Sequence, residues 1–228
     1  MTEPTKFTLP AFTPTDREYV SCVVCDDTGW ERLGEMVRRC RKCEKGAWSS
    51  PSSVPREFKT SVLENYEALP GNAAALRIAK AFHAGARDLY LWGNVGSGKS
   101  RLACSILNEF YQRTTSGQFM RVGSMLLALQ PSSDDIKRDA VETVATTSPL
   151  LVLDEVGGER DEATDFTRRT LVHIYESRYD RGLQTIWTSN KSLDDLSRFM
   201  VDDRLTSRIA GRCDVVELKV PDQRLVRR

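Results

Sequence analysis

The spacing of apolar residues changes several times along the chain. Residues 1–20 show no period; Thr, Pro and charge dominate, and the stretch reads as a flexible tail. Residues 21–45 carry two pairs of cysteines, and 46–55 have the Ser/Pro/Gly-rich composition of a linker. From residue 56 the pattern alternates between helix and strand. Ala75, Leu76, Ala79, Phe82 and His83 recur at helical spacing. Leu89-Tyr90-Leu91-Trp92 is a short apolar run that ends at a glycine-rich loop. Leu102, Ala103, Ile106, Leu107 and Phe110 line one face of the next helix. Phe119–Val122 predicts a second strand, and Met125–Gln130 a helix start stopped near Pro131. Leu150-Leu151-Val152-Leu153 is the unbroken apolar run expected of a strand covered on both faces. Leu171, Ile174, Tyr175 and Tyr179 give another amphipathic helix. Thr185–Thr188 and Val215–Leu218 are the fourth and fifth strands. Strands alternating with helices predict an α/β fold, with a five-stranded parallel sheet between helical layers.

The first strand runs into Gly93-Asn94-Val95-Gly96-Ser97-Gly98-Lys99-Ser100, and a helix follows. This is the P-loop pattern in the context that gives it meaning. The glycines let the backbone curl so that successive amides face a phosphate. The helix N-terminus adds a favourable dipole for the anion. Lys99 is expected to reach the β- and γ-phosphates and Ser100 to offer its hydroxyl to Mg²⁺, with Arg101 next to them on the helix. The bland alternative, a glycine turn ahead of a helix, leaves the register of Lys99 and Ser100 unexplained.

The third strand ends in Asp154-Glu155, at the strand edge where ligands sit in open α/β sheets. Asp154 is expected to hold Mg²⁺, and Glu155 to polarise the attacking water as general base. Thr188-Ser189-Asn190 ends the fourth strand, which places the Asn190 amide to orient that water or touch the γ-phosphate. Arg204 and Arg208 lie four apart on one helical face. Read sharply, one of them is an arginine finger for a neighbouring subunit's nucleotide, with an effect of several kcal/mol on the transition state. Read blandly, they form a solvated stripe.

Cys22-x-x-Cys25 and Cys40-x-x-Cys43 are separated by 14 residues, close to the four-cysteine zinc template. A module this small cannot bury a core, so zinc would supply much of its stability. Free thiols or a redox pair are the alternatives. Cys104 reads as core, Cys213 has no partner in sequence, and His83 and His173 lack ligand spacing.

Composition narrows the picture a little further. The chain has 228 residues, 40% of them hydrophobic, and a formal net charge of +1. That allows one packed domain plus a small module, and it excludes generic polyanion binding through net charge. Neither a long apolar run nor an apolar leader core is present, so the chain reads as cytoplasmic.

Taken in order, the P-loop, Leu-Asp-Glu-Val-Gly at 153–157, Thr-Ser-Asn at 188–190 and Arg-Leu-Thr-Ser-Arg at 204–208 resemble the AAA+ ATPases of the DnaC/DnaI helicase-loader and IstB clade, kin of the initiator DnaA. The resemblance covers roughly residues 54–228, including the lead-in Val54-Pro55-Arg56-Glu57-Phe58 and Leu63-Glu64-Asn65-Tyr66. It implies Walker A roles for Lys99 and Ser100, Walker B roles for Asp154 and Glu155, sensor 1 for Asn190, and an arginine finger at Arg208 with Arg204 as second candidate. Residues of about 124–147 fall where this clade carries an extra helical insertion. Asp222-Gln223-Arg224 resembles the clade's short tail, with Arg224 standing in for the sensor 2 arginine. The stretch after the fifth strand is too short for the usual helical lid. A cysteine module ahead of the ATPase is similar to loaders that grip a replicative helicase through a zinc domain. The implied function is an ATPase with ATP, Mg²⁺ and Zn²⁺ as cofactors. It would self-associate, bind a hexameric replicative helicase and place it on single-stranded DNA. A transposition helper acting on duplex DNA with a transposase is the alternative. A small P-loop kinase would leave Asn190 and the arginine pair without a purpose.

Overall fold

A computed structural model describes residues 30–33, 36–39, 51–82, 86–114, 116–158 and 162–226, the first two stretches as backbone only. The chain divides into two compact units, residues 1–49 and 50–228. In the first, strands β1 (Trp30–Leu33) and β2 (Met36–Arg39) pair antiparallel, with Trp30 opposite Arg39 and Leu33 opposite Met36. The four cysteines of the predicted zinc module and His83 lie outside the described residues.

The second unit is the alternating α/β domain. A 3-10 turn at Arg56–Phe58 and helix α1 (Ala73–Ala81) lead into β3 (Asp88–Gly93) and α2 (Lys99–Thr114). β4 (Gln118–Arg121) passes directly into α3 (Val122–Ala128), and α4 (Asp135–Thr147) precedes β5 (Leu150–Asp154). Then come α5 (Asp165–Asp180), β6 (Gln184–Ser189), α6 (Leu193–Met200), α7 (Arg204–Arg212), β7 (Cys213–Leu218) and a last turn, α8 (Gln223–Val226). The five strands β3 to β7 form one parallel sheet in the order β4-β5-β6-β3-β7.

Side chains alternate across this sheet, and both faces are covered. Leu89, Leu91, Leu150, Val152 and Ile186 pack toward Leu102, Ala103, Ile106 and Leu107 of α2. Tyr90, Leu151, Leu153 and Trp187 pack the other way, against Leu171, Ile174 and Tyr175 of α5 and Leu205 and Ile209 of α7. Val54, in the stretch whose composition reads as a linker, is buried in the first of these layers, and the Ser53 hydroxyl accepts from the Phe119 amide at 2.9 Å. Val122, expected at the end of a strand, opens α3 instead. The apolar run there serves a strand and a helix without a break, so periodicity cannot mark the join.

Three helices start on capping side chains: Asp134, Thr164 and Ser192 accept from the amides of Lys137, Thr167 and Asp195. Arg178 of α5 is fully buried. Its guanidinium donates to Thr185 Oγ1 at 2.8 Å and to the carbonyls of Ala145, Ser148 and Gln184. It thereby ties the end of α4 to the start of β6, and burial lowers its pKa to about 10. Among the described residues, no helix is long and apolar enough to cross a membrane.

Candidate functional site

The loop between β3 and α2 sits at the C-terminal edge of the sheet. Gly96 and Gly98 have φ of +74° and +93°, conformations that side chains disfavour. Both also lie against other parts of the chain. A Cβ on Gly96 would fall 1.8 Å from an Asp222 carboxylate oxygen, and one on Gly98 would fall 2.6 Å from the Tyr66 hydroxyl. The Tyr66 hydroxyl donates to the Gly98 carbonyl at 3.3 Å, and the Gln223 amide donates to the Gly96 carbonyl at 3.0 Å. The loop is thus held on one side by the lead-in segment and on the other by the C-terminal turn.

Lys99 is buried within this loop and donates to the carbonyls of Gly93 at 2.8 Å and Asn94 at 2.7 Å. Burial lowers its pKa to about 8, against the opposing influence of the Asp154 and Glu155 carboxylates; the charge of Arg224 lowers it further. Lys99 thus lies within electrostatic range of Asp154, Glu155 and Arg224. The amides of the first turn of α2 have no intrahelical acceptor, as at any helix start. A ready anion cradle results, with an amine whose present partners are neutral carbonyls.

Asp154 is buried at the end of β5, whereas Glu155 is exposed, with φ of +63°. Register places β6 alongside, Leu153 opposite Trp187, so the next pair is Asp154 and Thr188. The Thr188 hydroxyl donates to Asp154 Oδ1 at 2.6 Å and accepts from the Glu155 amide at 3.0 Å. Asn190 is exposed just beyond β6, at the same sheet edge. Ser100, partly exposed in the first turn of α2, and the Asp154 carboxylate are the hard oxygen donors that suit Mg²⁺.

Other residues expected at the site are engaged elsewhere. Arg101 donates to the Asn65 carbonyl at 2.9 Å and lies over the Tyr66 ring. Arg204 forks onto Asp202. Arg208 pairs with Glu176 of α5, in an open groove lined also by Arg87, Tyr179 and Arg212 near the strands' N-terminal ends. Neither arginine meets this chain's own phosphate cradle. Tyr66, Thr188 and Asp222 are the neighbours sequence reasoning passed over. All three stand in motifs named above, Thr188 two places before Asn190, yet only strand register and the return of the chain show what they touch. Cys104 and Cys213 are buried core thiols whose pKa values burial pushes up.

The replicative helicase loader DnaI of Bacillus subtilis is 29% identical over 111 residues, 48% of this chain and 35% of DnaI. The chromosomal replication initiator DnaA of Thermotoga maritima is 30% identical over 172 residues, 70% of this chain and 37% of DnaA. The chain thus spans about a third of the length of these curated relatives. Among solved structures, a DnaI superposes with a TM-score of 0.65 at 24% identity, covering 72% of this chain and 94% of that one. A DnaC helicase loader gives 0.63 at 24% identity, covering 72% and 100%. AMPPCP-bound DnaA from Aquifex aeolicus gives 0.62 at 24%, covering 71% and 50%. At these identities the superpositions establish the fold alone, a five-stranded parallel sheet between helices with the glycine-rich loop at its edge. The profile of the IstB-like ATP binding proteins matches residues 63–228, most of the chain, and the protein belongs to that family.

Proposed function

We propose that the protein is an ATP-hydrolysing helicase loader, which uses its N-terminal unit to hold a hexameric replicative helicase and its AAA+ unit to help place it on single-stranded DNA. The observation that carries this reading is the assembled cradle: Lys99 is buried in a glycine-rich loop that opens a helix, at the sheet edge where β5 delivers Asp154 and Glu155. Similarity to the Bacillus subtilis loader supports the choice of task.

On this reading Lys99 exchanges the carbonyls of Gly93 and Asn94 for phosphate oxygens, a stronger, charge-assisted partnership. The amides of the first turn of α2 take the remaining phosphate charge. Ser100 and Asp154 would hold Mg²⁺, which when bound offsets phosphate charge. Glu155 accepts the proton of the attacking water, and Asn190 orients that water. Arg208, remote from its own cradle, acts on the nucleotide of a neighbouring copy, so hydrolysis requires self-association. Arg224 lies close enough to Lys99 to influence its charge and serves as a phosphate sensor.

The cysteine pairs are read as a structural zinc module of the N-terminal unit. The hairpin supports this: Trp30 pairs with Arg39, while Cys25 and Cys40 stand five residues before the one and one after the other. Zinc content near one per chain, lost when Cys22 and Cys25 become Ser, is the expected result.

The family match equally accommodates a transposition helper that assembles on duplex DNA with a transposase. Size-exclusion chromatography with light scattering separates the two. A complex between the full chain and the host's replicative helicase, lost with residues 50–228 alone, supports the loader. No complex with either form, together with ATPase activity stimulated by duplex DNA, supports the helper.

A further inference from the structure

At the junction between β5 and β6 a single side chain, Thr188, meets both Walker B residues, the Asp154 carboxylate and the Glu155 backbone amide. The Thr188 hydroxyl has one proton. Its bond to Asp154 Oδ1, at 2.6 Å, requires that proton, because an ionised carboxylate only accepts. The length is that of a charge-assisted O–H···O⁻ bond. The hydroxyl's lone pair then receives the Glu155 amide at 3.0 Å. The hydroxyl thus donates to Asp154 and accepts from Glu155.

Two further observations show that this contact is built in. Thr188 is fully buried and Asp154 nearly so, so no water can substitute freely for the hydroxyl. Glu155 has φ of +63°, a left-handed conformation that a residue with a Cβ disfavours and that persists only where its surroundings enforce it. Those surroundings are β6. The Thr188 hydroxyl takes the Glu155 amide, the Thr188 carbonyl takes the Val156 amide at 2.9 Å, and the Ser189 hydroxyl donates to the Val156 carbonyl at 2.7 Å. Two consecutive residues after β5, Glu155 and Val156, are thus fastened by three hydrogen bonds to the strand that leads into Asn190.

We infer that Thr188 is a positioning residue for nucleotide hydrolysis: its hydroxyl fixes the rotation of the Asp154 carboxylate toward the Mg²⁺ position and holds the bent backbone that aims Glu155 at the attacking water. The inference rests on the ATPase reading above. Thr188 is fully buried and acts through the residues it holds. It acts on the Asp154 carboxylate through its proton and on the Glu155 backbone amide through its lone pair, and it links both residues to the strand that leads into Asn190.

The test compares Thr188→Val, which keeps the shape and removes the hydroxyl, with Thr188→Ser, which keeps the hydroxyl. ATP binding is measured by calorimetry with excess EDTA and again with Mg²⁺, ATP turnover is measured against Mg²⁺ concentration, and thermal melting checks folding. In EDTA, all three proteins should bind ATP within twofold of one another, because Lys99 and the loop are untouched. With Mg²⁺, Thr188→Val should lose several-fold of the metal-dependent gain in affinity. Its turnover at saturating Mg²⁺ should fall at least tenfold, while Thr188→Ser stays within threefold of the parent on both measures. The inference is overturned if Thr188→Val keeps both metal gain and turnover, or if Thr188→Ser fails as badly as Thr188→Val while both melt like the parent. Should Thr188→Val prove unfolded, Thr188→Ser decides alone: parental metal gain and turnover uphold the hydroxyl's role, and loss of both in a folded protein refutes it. A parent protein that binds ATP and never hydrolyses it, with DNA and helicase present, defeats the ATPase reading instead; the Mg²⁺-dependent affinity gain still tests the Asp154 contact.

Discussion

Lys99 offers a prediction that can be worked through in numbers. In the free protein its pKa is lowered to about 8, chiefly by burial, although Asp154 and Glu155 oppose the change. The ordinary value for a lysine is near 10.4. Phosphate oxygens arriving beside the amine favour its charged form and should return it toward that value. ATP binding must then be accompanied by proton uptake wherever the free amine is partly neutral. With a free value of 8 the uptake is about 0.1 proton at pH 7, about 0.5 at pH 8 and about 0.75 at pH 8.5. Affinity should hold steady below pH 8 and weaken above it, by about tenfold at pH 9. For stability of the free fold the sign is opposite. Between pH 8 and about 10.4 the unfolded chain holds the Lys99 proton that the folded chain has released, so rising pH favours the fold through this residue. Calorimetry in buffers of different ionisation enthalpy reads the uptake directly. Lys99→Arg, which cannot deprotonate, should bind with no uptake from this position. Uptake below about 0.2 proton at pH 8.5 in the parent, or equal uptake in Lys99→Met, would refute the reasoning.

Two further predictions concern the surroundings of the cradle. Gly96→Ala should weaken ATP binding at least tenfold and lower the melting temperature, because its Cβ would meet the Asp222 carboxylate at 1.8 Å and φ is +74°. Adding Asp222→Ala should recover only the part due to that collision, since the backbone strain remains; full recovery would show that φ is unimportant here. Arg208→Ala should bind ATP as the parent does yet lose at least 10²-fold in stimulated hydrolysis, in line with arginine-finger losses. Mixing it with Lys99→Ala, itself inactive, should restore turnover at interfaces that pair an intact cradle with an intact Arg208; no restoration would count against the composite site.

Much of the core was legible because its signals are local. Leu150–Leu153 is buried at every position, as an unbroken apolar run requires of a strand sandwiched between helices. Leu102, Ala103, Ile106 and Leu107 recur every three or four residues and face the same layer. Where the signal was continuous across two elements, reading failed at the boundary. Val122 belongs to a helix rather than a strand, and Val54 is core rather than linker.

The P-loop was readable from eight consecutive residues because its chemistry is made of adjacent amides, glycine dihedrals and one lysine that folds back onto its own loop. Composition and spacing likewise determined the alternation of strands and helices, the apolar faces, and the identity of the carboxylates at the end of β5. What tertiary structure alone decided is which distant residues complete the site. Strand order places β6 between β3 and β5, and register then sets Thr188 beside Asp154, 34 positions away. Chain return brings Asp222 and Gln223 onto Gly96, and the lead-in brings Tyr66 onto Gly98. It also sends Arg208 away from its own cradle to Glu176. Those contacts depend on how apolar faces stack and strands align across the whole domain, and the period of a short sequence window carries no information about either.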